Sequence, residues 1–188
     1  MKYKLDSYEE DKIKNPDIKA YIKVNNTNID YVVVQSSNNN YYLNHNFNKE
    51  YNTAGWIFFD YKNKLDGTDK NIIIYGHNTK DNSMLNTLKY VLNKNWQSNK
   101  TNQIITLVTE TQEYKYQVFS TYEIKPETYY LTTKLSSTEN YKYFLNKIKF
   151  RSNYNYKVIL GEEDKVLTLS SCLGEGQTSV VLHAKLIK

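Results

Sequence analysis

The chain has 188 residues, with 25 Lys and Arg against 20 Asp and Glu for a formal charge of +5; that length suits one domain with a real core and is short for two. Its cationic residues are scattered and Arg151 is the only arginine, so the clustered guanidinium groups that read phosphates and guanine edges are missing and a nucleic-acid partner is not expected. One cysteine excludes an intramolecular disulfide, and no apolar run reaches the 18 residues of a membrane-spanning helix.

Tyr3 to Asn15 is charged and ends before Pro16, and Leu5, Tyr8 and Ile13 predict a short amphipathic helix on the outside of the domain, within an N-terminal segment 1–20. Tyr21–Val24 and Ile29–Val34 read as strands joined by an Asn-rich turn. Trp56–Phe59 is too apolar for an exposed strand and is expected in the middle of a sheet. Asn71–Tyr75, with its Ile-Ile-Ile centre, fits a strand buried on both faces. Leu85, Leu88 and Leu92 predict a helix across Met84–Leu92. Ile104–Thr109 and Glu113–Phe119 form a hairpin whose second strand continues through Tyr122–Lys125 to Pro126. Ser136 and Glu139 have the spacing of a capping box ahead of Tyr143, Phe144, Leu145 and Ile148, which predicts a helix with Ser136 as N-cap. Lys165–Cys172 is a strand broken afterwards by Gly174 and Gly176, and Val180–Ile187 is a closing strand. About eight short strands with two or three outer helices predict a closed, mostly antiparallel β-barrel.

Two of these strands end on titratable residues: Asn71-Ile-Ile-Ile-Tyr-Gly-His77 and Lys165-Val-Leu-Thr-Leu-Ser-Ser-Cys172. A thiol beside an imidazole is the usual pairing for nucleophilic acyl transfer, because the base generates the thiolate that attacks an acyl carbon. The competing reading of Cys172 is a small buried hydrophobe. His45 lies in a polar turn and His183 inside the last strand, and both are read as structural. A metal site falls short in ligand number and lacks CxxC or HExxH spacing, so no metal or other cofactor is expected. A papain-like protease remains open on the Cys and His alone, although here the His precedes the Cys and both sit on strands.

Tyr75-Gly-His-Asn78 and Thr168-Leu-Ser-Ser-Cys172 resemble the sortase family of Gram-positive surface transpeptidases, class B in particular. Asn15-Pro-Asp-Ile18, Thr27–Tyr31, Tyr41–His45, Ala54–Tyr61 and Asp81–Met84 follow the class B pattern in the same order, so the resemblance spans nearly the whole chain. It implies a single catalytic domain over 1–188 built on an eight-stranded sortase-type barrel, with a helix between the sixth and seventh strands forming one wall of a substrate groove. It also implies that Cys172 cleaves a C-terminal sorting motif through a thioester, that His77 protonates the leaving amine, and that a peptidoglycan amine resolves the intermediate. The expected setting is the outer face of the cell membrane, as a monomer, through a single N-terminal span outside this sequence. By the same resemblance Ser170, Ser171, Asn63, Leu65, Tyr129, Tyr130 and Leu131 are candidate substrate-binding residues. One departure stands out: Ser179 occupies the position of the family's catalytic arginine. A serine offers one neutral hydrogen bond in place of a charged fork, so an alternative reading is a sortase-fold protein that binds sorting signals with impaired turnover.

Overall fold

In the computed structural model, which describes residue 8 and residues 10–125, 127–172 and 178–188, eight strands close into a barrel. They are β1 (Ile18–Val24), β2 (Asp30–Val34), β3 (Phe58–Phe59), β4 (Asn71–His77), β5 (Ile104–Val108), β6 (Glu113–Ile124), β7 (Val166–Cys172) and β8 (Ser179–Leu186), in spatial order β1-β2-β3-β4-β7-β8-β6-β5. The β2–β3 and β4–β7 pairs are parallel and the others antiparallel. This is the mostly β, closed barrel expected from the sequence.

Strand alternation sorts the core. Ile74, Leu167, Leu169, Leu182 and Ala184 join Ala20, Ile22, Ile105 and Val118 inside the barrel. On the outer side Ile73 and Tyr75 pack with Ile18, Val34, Tyr42 and Phe58. Val166 and Val181 pack with Phe119, Phe144, Leu145 and Ile148. Both faces of β4 and β7 are therefore covered, which is why these strands read as nearly unbroken apolar runs. Each fully buried Ile or Leu contributes about 1.5–3 kcal/mol.

The helices depart from expectation in detail. A first helix, α1, spans residues 10–14, and Tyr8 packs in the outer cluster; residues 1–7 and 9 of the N-terminal segment, like Pro126 and the glycine-bearing segment after Cys172, lie outside the described residues. The predicted helix over Met84–Leu92 is a 3-10 helix, Asn86–Leu92. Its first bonds run three residues back, Leu88 N–H to the Leu85 carbonyl at 3.0 Å, while Leu85 N–H is taken by the His77 carbonyl at 3.0 Å; the tertiary anchor holds the segment in the tighter winding. A short helix, α2 (Lys94–Ser98), follows and buries Trp96 and Gln97. The long helix α3 (Thr138–Phe150) lies between β6 and β7 as expected, but its N-cap is Ser137, whose hydroxyl accepts Asn140 N–H at 3.2 Å. Glu139 thus sits in the first turn as a dipole partner rather than as the N3 residue of a capping box. The predicted strand Trp56–Phe59 is reduced to Phe58–Phe59, because β2 offers it one parallel partner, Val34.

Candidate active site

β4 and β7 run parallel through seven in-register pairs, from Asn71↔Val166 to His77↔Cys172. Equal strand lengths bring the two ends level, and neighbouring strands lie about 4.8 Å apart, so the backbones of His77 and Cys172 are neighbours. His77 follows the outer face, with Asn71, Ile73 and Tyr75 of β4, beside Val166, Thr168 and Ser170 of β7. The register is pinned at the far end, where the Thr168 hydroxyl donates to Asn71 Oδ1 at 2.7 Å and Val166 N–H to the Lys70 carbonyl at 2.9 Å. A one-residue slip would take Cys172 out of register with His77.

His77 is half-buried and its Nε2–H donates to the Leu43 carbonyl at 2.7 Å. A carbonyl oxygen only accepts, so Nε2 keeps its proton and Nδ1 is the nitrogen left to exchange one. Beneath it Gly76 faces the interior, where a Cβ would stand 2.7 Å from both Ile57 Cγ2 and Leu85 Cγ. The close packing under His77 accounts for the glycine.

The segment between β6 and α3 covers the outer face beside Ser170. Tyr130 and Ser170 share a hydroxyl hydrogen bond of 3.0 Å, and Asn71 Nδ2 donates to the Tyr130 and Thr132 carbonyls at 3.2 and 3.0 Å. Lys147 Nζ lies 3.9 Å from the Tyr129 ring centre and the Arg151 guanidinium 5.4 Å from it. Arg151 also pairs with Glu127 at 3.2 Å; exposed pairs of this kind contribute at most about 1 kcal/mol. The only guanidinium in the chain therefore clamps this segment to α3.

Of the residues expected to bind substrate, Ser170, Tyr129, Tyr130 and Leu131 gather on this outer wall. The others do not. Ser171 turns into the barrel, is 1 % exposed, and accepts Val180 N–H at 2.9 Å. Asn63, 3 % exposed, bridges the Asn71 carbonyl at 2.8 Å and Ile73 N–H at 2.9 Å. Leu65 packs against the barrel core and shares a cavity with Gly67, Ile72 and Lys165. Both stand toward the start of β4, which is about 20 Å from its His77 end, because the loop after β3 folds back along the strand instead of over it. Ser179 opens β8; continuing the pairing that ends at Ser170↔Val181 by two residues sets it opposite Cys172. Among the described residues no three His, Cys, Asp or Glu side chains converge on a metal position. Sequence reasoning missed the Leu43 carbonyl, a main-chain group that leaves no residue signature, and the role of Asn71, which it named only as the first residue of a strand.

His183 belongs to the scaffold. It is fully buried, accepts from the Tyr122 hydroxyl through Nε2 at 2.8 Å, and donates from Nδ1 to Thr168 Oγ1 at 2.9 Å. The assignment follows because Thr168 spends its own proton on Asn71. Burial drives the His183 pKa down from 6.5 to about 3. A depressed imidazole pKa means that the unfolded chain binds the extra proton, so this contribution is full above about 6.5 and falls as pH drops toward 3, by about 1.4 kcal/mol per unit within that window. Urea unfolding should show about 2 kcal/mol lost to this group between pH 7 and pH 5. His183→Gln should flatten that part of the slope, and an unchanged slope would contradict the assignment.

An eight-stranded barrel with a histidine and a cysteine level at the ends of two parallel strands is shared with solved structures of one family. A family model described as the sortase domain matches residues 22–187, and the chain belongs to the sortase family. Sortase B of Listeria monocytogenes is 36% identical over 158 residues, 84% of this chain and 63% of that protein, so the chain spans less than two-thirds of that relative. A mutant form of Clostridium perfringens sortase B superposes with a TM-score of 0.91 at 34% identity, covering 100% of this chain and 89% of that one. The Staphylococcus aureus sortase B-substrate complex gives 0.90 at 32% identity, covering 97% and 85%. These likenesses place the chain with class B.

Proposed function

We propose that the chain is a class B cysteine transpeptidase that cleaves a C-terminal sorting motif and joins the acyl part to a peptidoglycan amine. The observation that carries this reading is the level pairing of His77 with Cys172 at the ends of β4 and β7. The Cys172 thiolate adds to the scissile carbonyl. Collapse expels the amine, which takes a proton from His77 Nδ1, and leaves a thioester on sulfur. An acceptor amine then attacks the thioester, returns a proton to His77 and frees the thiolate. Tyr129, Tyr130, Leu131 and Ser170 form the wall along which an extended peptide lies. A solved sortase B relative described as a substrate complex supports peptide binding here, and the cell-surface setting and monomeric state of the single domain follow the same family resemblance. Incubation with a fluorogenic sorting-motif peptide, with and without an amine acceptor, tests the reading. Mass spectrometry should find the acyl group on Cys172, and the absence of any adduct or cleavage would refute it.

A second reading, binding with impaired turnover, rests on Ser179 standing opposite Cys172 while Arg151 is held by Glu127 and Tyr129. If a charged donor to the developing oxyanion is lost at position 179, Ser179→Arg should raise the cleavage rate by roughly 10²–10³, the worth of one oxyanion donor. An unchanged rate would remove this reading.

A further inference from the structure

The geometry points to Gly55 as a positioning residue for His77, acting through the Leu43 carbonyl to hold the imidazole as its Nε2–H tautomer. Leu43 ends the 3-10 turn Tyr41–Leu43. That turn is anchored by the fully buried Tyr42, whose hydroxyl accepts from Asn15 Nδ2 at 3.0 Å and donates to Asp17 Oδ2 at 2.7 Å. From outside, the chain at Gly55 closes over it: Trp56 N–H donates to the Tyr42 carbonyl and Asn52 N–H to the Asn44 carbonyl, both at 2.9 Å. Gly55 has φ +58, and a Cβ there would stand 2.8 Å from the Leu43 oxygen and 3.0 Å from its carbonyl carbon, and nearer still to the Tyr42 oxygen. These are main-chain atoms in an anchored turn, so a side chain at 55 displaces the carbonyl that His77 Nε2 meets at 2.7 Å.

The tautomer matters because the neutral ring carries one proton. With Nε2–H spent on Leu43, Nδ1 is the free base and, when protonated, the donor. No hydrogen bond occupies His77 Nδ1 among the described residues. Without the carbonyl both tautomers become accessible and the ring is free to rotate about its side-chain bonds, which lowers the fraction of molecules in the reactive form.

Gly67 supplies a matched control, since it has φ +84 with nothing within 4 Å of its would-be Cβ. Gly67→Ala carries a comparable backbone penalty without touching the turn. The inference rests on the transpeptidase reading for its kinetic arm only. Nitrogen-15 NMR of the free wild-type protein, which needs no substrate, should show His77 as the Nε2–H tautomer; a dominant Nδ1–H form would overturn the proposal even if Gly55→Ala does not fold. Gly55→Ala should then populate the Nδ1–H form and lower kcat for peptide cleavage by about 10–100-fold, as misplacement of an acid–base group does, with KM within about twofold, whereas Gly67→Ala changes neither tautomer nor kcat. A Gly55→Ala protein with wild-type tautomer and kcat would overturn the role of Gly55. Wild-type protein with the Nε2–H tautomer but no cleavage would count against the transpeptidase reading and leave the positioning device standing.

Discussion

Cys172→Ala should abolish acyl transfer, with a fall in kcat of about 10⁴ or more, because no other thiol in the chain can form the covalent intermediate. His77→Ala should cost about 10²–10⁴ through loss of the proton donor to the leaving amine. The two losses should not add, since nucleophile and acid–base partner act as one unit. Iodoacetamide gives an independent view. With a single cysteine, intact mass reports alkylation of Cys172 alone, and its rate near neutral pH should drop in His77→Ala as the thiolate loses its partner. A double variant retaining activity within tenfold of wild type would sink the assignment of both residues.

Asn71→Leu should be the most destabilising single polar substitution on the outer face, by about 3 kcal/mol or more in urea unfolding at pH 7. The side chain is 0% exposed, accepts from Thr168 and donates to the Tyr130 and Thr132 carbonyls. Leucine keeps the same number and branching of heavy atoms, so none of the cost is a cavity. It arises because the Thr168 hydroxyl and Tyr130 carbonyl lose a partner at about 1–3 kcal/mol each. The same change should also lower cleavage activity, because Asn71 joins the register of β4 and β7 to the wall segment next to Ser170. A loss below about 1 kcal/mol would mean that water or a rotated Thr168 restores the bonds.

The barrel and the proposed catalytic pair were legible in the sequence for different reasons. Strands such as Asn71–His77 and Val166–Cys172 carry β-branched and aliphatic residues on both faces, a composition that only a doubly covered strand uses. His77 and Cys172 were legible because each closes such a strand and carries reactive chemistry. The resemblance named Tyr130, Leu131, Asn63 and Leu65 together; the fold sets the first two near Ser170 and the other two toward the start of β4, because loop direction depends on packing beyond the loop.

By itself the chain of residues determined which segments extend, which helix interrupts β6 and β7, and which two titratable side chains close buried strands. Tertiary structure decided the rest: that β4 and β7 are neighbours in register, that Ser171 turns inward while Ser170 turns outward, that Arg151 serves a clamp, and that a main-chain carbonyl selects the His77 tautomer. Local propensity acts through a residue's own neighbours, whereas register, face and main-chain contact are set by partners more than thirty residues away, such as Leu43 for His77 and Asn71 for Thr168.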